Sequence, residues 1–222
     1  MIRRFLPALV AMLAVSSSIV FAQMASPPAL SPKPQGAEVA FVTGVQKDLN
    51  ARFATIAQAQ AAGYFRFTNE DNTGSISYAN LQWTSSDPQH PSQLWYSVGG
   101  KLLGADFSQP YVAGSPPNLW GVLPQRWGHF GAHIHWVLDI DGKETYGATS
   151  VAKWKAAGGD PDNPQSATVV ALGKAKDASQ VKHVFLFHNI WDLEVWVMNN
   201  PNGAFAEMNP LVHPSANAQS ME

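Results

Sequence analysis

Between Glu38 and Ala62 the apolar residues recur at spacings of three and four. Val39, Phe41, Val42, Val45, Leu49, Phe53, Ile56 and Ala59 form one stripe, which predicts an amphipathic helix. Gly44 weakens its middle and Gly63 suits a C-cap, so a kinked helix and a pair of helices both fit. After Gly63 the period falls to two, and short strands are expected over 64–68, 75–83, 93–97 and 101–107. Gly99-Gly100 joins the last two as a hairpin, both glycines being able to accept positive φ. Residues 110–124 read as a long loop. A strand over 132–140 turns at Asp141-Gly142 into Glu144-Thr145-Tyr146. A short helix over 150–157 follows, then a loop over 158–164, with 167–175 unassigned. Strands over 181–187 and 191–198 are apolar on both faces, which places them centrally in a sheet. The sum is an α+β fold: a mostly antiparallel β-sheet with an N-terminal helix packed on it.

The two ends of the chain do not carry this patterning. Arg3 and Arg4 precede an apolar run from Phe5 to Val20, and Val20-Phe21-Ala22 offers a small residue at a cleavage point. Residues 1–22 therefore read as a signal peptide, too short for a membrane span and without stop-transfer charges. Residues 23–36, with Pro27, Pro28, Pro32 and Pro34, read as an extended linker. One globular domain is expected over 37–213 and a flexible polar tail over 214–222.

Export changes the reading of the composition. Losing Arg3 and Arg4 makes the net charge of −2 more negative, and no basic run remains, so nucleic acid and anionic membranes are excluded as partners. The chain has no cysteine, so neither disulfides nor thiolate metal sites are available to it. Packing must hold the fold, and eight tryptophans supply much of the material.

Candidate chemistry concentrates in Gly128-His129-Phe130-Gly131-Ala132-His133-Ile134-His135-Trp136, which holds three of the seven histidines. On a strand His133 and His135 share a face, with Cα atoms about 6.5–7 Å apart, a separation that lets two imidazoles converge on one ion. Val137 and Asp139 complete that face, and Ile134, Trp136, Leu138 and Ile140 form the opposite, core face. His129 is expected to fold in from a loop as a third ligand, with Asp139, His188 or Glu194 as a further one. Such a set would suit a divalent transition metal, zinc or non-haem iron. The plainer reading is two hydrogen-bonding histidines on a hairpin. Glu194, on the face of Asp192 and Trp196 in an apolar strand, must be paired, metal-bound or shifted toward its neutral form. His183, which alternates with Phe185 and Phe187 along its strand, reads as structural. The chain lacks a G-x-S-x-G elbow, a phosphate-binding glycine loop and H-E-x-x-H.

Two resemblances follow from these residues. Gly128, His133, His135, Asp139 and Gly147 are similar to the first metal motif of cupins, one residue short before the first histidine and with Asp in place of Glu. Neither His183 nor His188 sits in a second cupin motif. The order of landmarks across most of the mature chain resembles a family of exported bacterial domains of unknown function. It runs from Ala62-Gly63-Tyr64 through Ser77-Tyr78-Ala79-Asn80, Pro91 to Tyr96 and Leu102 to Phe107. It ends in Val195-Trp196-Val197, Asn200-Pro201-Asn202-Gly203-Ala204-Phe205-Ala206 and Asn209-Pro210. Where that family tends to place histidines this chain has Ser77 and Glu194, so the resemblance implies an altered site with Asp106 and Glu194 as acidic remnants. It implies no reaction. Three functional readings stay open: an exported protein binding a small molecule or metal ion, a metal-dependent enzyme built on His133 and His135, and a structural domain whose sheet edges form an oligomer.

Overall fold

A computed structural model describes residues 30–83 and 87–219 of the chain. The expected signal peptide, the linker up to residue 29 and the last three residues of the tail lie outside them. Among the described residues no helix is long and apolar enough to cross a membrane.

The N-terminal stripe folds as two helices, α1 (Glu38–Arg52) and α2 (Ile56–Ala61). The break comes at Phe53, whose φ of −131° leaves the helical range, and Thr55 restarts the chain with a capping box shared with Gln58. Phe41, Val42, Val45 and Leu49 are buried as the periodicity requires, whereas Val39 is 51% exposed and leaves the stripe.

Strands β1 (Phe65–Arg66), β2 (Ile76–Ala79), β3 (Gln93–Tyr96), β4 (Leu102–Pro110), β5 (Gly128–Phe130) and β9 (Ile190–Trp196) form one antiparallel sheet in the order β1-β2-β3-β4-β9-β5. Its two faces differ because side chains alternate along each strand. Tyr78, Leu94, Tyr96, Ala105, Phe107, Leu193 and Val195 point to one side and form the main core with Phe41, Val42, Val45 and Leu49 of α1. Tyr96 Oη ties this face to the helix break by donating to the Phe53 carbonyl at 2.7 Å. The opposite face carries Trp95, Asp106, Ser108, Asp192, Glu194 and Trp196, in register across β3, β4 and β9. Gly104 lies beneath the Trp95 ring. A Cβ there would fall 2.2 Å from that ring and 2.8 Å from the Val195 carbonyl.

A second antiparallel sheet contains β6 (His133–Ile140), β7 (Lys143–Ser150) and β8 (Val181–Phe187) in the order β7-β6-β8. Asp141 and Gly142 turn β6 into β7 with both φ values positive, 54° and 80°. At the other hairpin only Gly100 is positive, at 78°, so Gly99 is not required for its conformational freedom. Helices α3 (Val151–Ala156) and α4 (Ser166–Ala171) cover one face, where Ile134, Trp136 and Leu138 pack on Trp154 and Val169. The other face, with Val137 and Phe185, packs on Phe67 and Ala79 of the larger sheet.

The α+β class, with antiparallel strands and an N-terminal helix packed on them, is as expected, and two finer expectations are corrected. The expected single sheet is two, and β8 is an edge strand, not a central one. Its two apolar faces have a different cause: the small sheet is a middle layer, with helices on one side and the β1–β2 region on the other. β9 is internal, between β4 and β5.

A buried ion pair joins the first helix to the rest. Glu38, 0% exposed, accepts from Arg126 Nε and Nη2 at 3.0 and 2.9 Å and from the backbone N–H groups of Gln35 and Leu123. Arg126 also donates to the Ser31 and Lys33 carbonyls and lies 4.3 Å above the Phe205 ring. Residues 31–35 of the expected linker are thereby held against the domain. Burial opposes ionisation of Glu38, but Arg126 and the two N–H groups outweigh it and hold the pKa below the usual carboxylate value. Arg126→Met should therefore destabilise the protein by about 3–5 kcal/mol in urea unfolding, because it strands a buried carboxylate. The Glu38→Gln/Arg126→Met double variant should recover part of that loss.

Candidate functional site

The histidines expected to converge are divided between the two sheets. His129 is not on a loop but in β5, paired with Trp191 of β9. Its Nε2 lies 2.6 Å from Asn189 Oδ1, and its ring stacks on Tyr111 at 3.9 Å. His133 and His135 are on β6, side by side with ring centroids 4.7 Å apart. His133 Nδ1 is 2.7 Å from the Gly131 carbonyl and its ring stacks on Phe187. His135 is enclosed by Phe67 and Phe185, at 4.9 and 5.5 Å. Asp139 accepts from the Gly142 N–H at 2.8 Å, a bond that shapes the hairpin turn. His188 is exposed between β8 and β9. His183 stacks on Phe65 at 4.3 Å.

His133 and His135 thus face a second packing layer and form part of the contact between the sheets. Burial, with a smaller contribution from His133, depresses the His135 pKa to about 3. Its folded pKa lies below its unfolded value of about 6.5, so the unfolded chain takes up the proton first. Stability from this residue is complete above pH 6.5 and lost as pH falls toward 3. Urea midpoints measured between pH 7 and pH 4 should drop more for the wild type than for His135→Phe, which keeps an aromatic ring in the same enclosure.

Among the described residues the one group of three metal-capable side chains brought together is acidic. Asp106 on β4 sits directly opposite Glu194 on β9, and Asp192 lies two residues along the same face, opposite Ser108. One ligand atom from each carboxylate falls within 4.8 Å of the others. The strand register, with its period of two, creates this cluster by joining Asp106 to Asp192 and Glu194, which lie 86 and 88 positions further along the chain.

The surroundings stabilise these carboxylates only in part. Trp95 Nε1 donates to Asp106 Oδ2 at 2.9 Å, and Ser108 Oγ donates to Asp192 Oδ1 at 2.9 Å. Ser92 Oγ supports Ser108 from 2.7 Å. Asp106 is only 5% exposed, yet its Oδ1 has no hydrogen-bond partner. None of the ion pairs among the described residues includes any of the three. Burial, then the charges of Asp192 and Glu194, raise the Asp106 pKa well above the carboxylate range. Burial and Glu194 push Asp192 to about 8 against the Ser108 bond. Glu194 stands at the exposed rim of the cluster, where partial desolvation and then the charges of Asp71 and Glu207 raise its pKa.

Two chemical states relieve such crowding: shared protons, or a cation bridging the carboxylates. The donors are all oxygens, which suits a hard ion of the calcium, magnesium or manganese type and not the zinc or iron expected from the histidines. The sequence signals for this site were Asp192 and Glu194 on one strand face and Asp106 in the Leu-x-Gly-x-acid-aromatic element. Their convergence depended on the pairing of β4 with β9. Protein-family models, curated proteins and solved structures provide no match to the chain.

In protein held metal-free by chelation at pH 8, Asp106→Asn should raise stability by about 1–3 kcal/mol, read from the urea midpoint. It removes a buried carboxyl that must either carry a charge beside Asp192 and Glu194 or take up a proton on folding, and it gives the neighbouring carboxylates an amide donor.

Proposed function

We propose that this chain is an exported protein that binds a hard divalent cation through Asp106, Asp192 and Glu194. The observation that carries the binding half is Asp106 Oδ1, a buried carboxylate oxygen without a partner beside two further carboxylates. An orphaned acceptor of this kind costs about 1–3 kcal/mol or more, and an ion supplies what it lacks. Ser108 and Trp95 orient two of the three ligands, the role that outer hydrogen bonds play around bound metals. The export half rests on the signal-like residues 1–22. In an extracytoplasmic compartment a carboxylate site with few protein ligands suits calcium at the weaker end of its affinity range.

Elemental analysis and calorimetry of protein purified without a histidine tag test this. Calcium, manganese or magnesium should bind at one ion per chain. At about one hundred times the dissociation constant, that ion should add about 2.7 kcal/mol of stability. Asp106→Asn should abolish both effects. Absence of binding at millimolar concentrations of all three ions would overturn the proposal. Stoichiometric zinc or iron lost on His133→Ala/His135→Ala would instead place the metal on the histidines.

A further inference from the structure

The segment 207–219 lies across the same sheet face as the carboxylates. Its base is clipped by two asparagines: Asn200 Nδ2 donates to the Met208 carbonyl at 3.1 Å, and Asn209 Nδ2 to the Asn199 carbonyl at 3.0 Å. Val212 then packs on Trp95, Leu103 and Trp196, beside the strand positions of Asp106 and Glu194. Its far end docks on the loop before β2. The Glu70 carboxylate accepts from the Ser215 N–H at 2.7 Å and from the Ser215 hydroxyl. The Gln219 N–H donates to the Glu70 carbonyl at 2.8 Å, and Gln219 forms a parallel bridge with Asp71. Residues 214–219, expected as a loose tail, are thus tied to the domain.

This segment brings charge with it. Glu207 lies near its base, whereas Asp71, at the dock, belongs to the loop before β2; both are negative groups that raise the Glu194 pKa. Docking also seats Val212 on Trp95, the donor to Asp106 Oδ2, so the segment touches the residue that orients a ligand whose Oδ1 is buried and unpartnered, and it sets Glu207 near that like charge. With a divalent cation present the sign of that interaction reverses, because each added carboxylate then faces a positive centre.

Resting on the cation reading above, we infer that residues 207–219 form a strap whose docking is coupled to occupancy of the Asp106/Asp192/Glu194 site. The bound cation holds the strap down, and the docked strap, through Val212 on Trp95 and through Glu207, tightens the cation. The two effects are one coupling free energy and must be equal in size.

Hydrogen exchange across 211–219 and calcium calorimetry, both on the full chain, test the coupling. Saturating calcium should slow exchange at the Ser215 and Gln219 amides by roughly fivefold or more. Glu207→Gln should weaken calcium binding by about the same factor and shrink the exchange response. Glu70→Gln, which loosens the dock without touching the ligands, should also weaken calcium, and Ser215→Ala serves if that variant does not fold. Calcium binding with unchanged exchange across 211–219 would overturn the strap and leave the cation site intact. Absence of calcium, magnesium and manganese binding would overturn both.

Discussion

The pairing of β4 with β9 is the constraint on which the rest depends. Seven residue pairs, Gly104–Trp196 through Pro110–Ile190, fix which side chains face α1 and which face away. A slip of one position in either strand would turn that strand over, sending Asp106 of β4, or Asp192 and Glu194 of β9, into the apolar layer and Ala105 and Phe107, or Leu193 and Val195, out of it. Because the core on one side cannot tolerate that exchange, the carboxylates on the other are held in place without needing to attract one another. The fold supplies the precision, and the hydrophobic face supplies the energy.

That division explains how three acidic groups come to lie together. Their mutual repulsion is opposed by burial of Phe107, Leu193, Val195 and the α1 stripe, a far larger effect than any one carboxylate can exert. The contrast with Glu38 is instructive. Glu38 is as deeply buried, but Arg126 and two backbone donors meet its oxygens, so it stays ionised and acts as a structural fastening. Asp106 has one indole donor and a free oxygen. Similar burial with different company yields a fastening in one place and a candidate ligand in the other.

Much of the fold could be read from the chain. The helical stripe, the two glycine-bearing hairpins, the β6 core face and the strand sites of β8 and β9 follow from local periodicity. The division into two sheets does not, because it depends on which strand edges meet. The β8 pattern suggested a central strand only because Phe65 and Phe67 cover its second face. The site shows the same limit. Three histidines close in sequence drew attention, but β5 and β6 belong to different sheets and carry His129 away from His133 and His135. Asp106 and Glu194 are distant in sequence and adjacent in space, and only long-range pairing could join them. The Asn200 and Asn209 signature, by contrast, has a visible physical role in clipping the base of the C-terminal segment.

Gly104 ties these themes together. With no side chain it lets the Trp95 ring lie against the strand, and from there the indole N–H engages one oxygen of Asp106 and leaves the other open. The number of oxygens that Asp106 can offer is therefore set by a residue with no functional group at all. Drift at position 104 would alter packing and ligand chemistry in a single step, so this position gives the lineage no neutral path by which to remodel one while keeping the other.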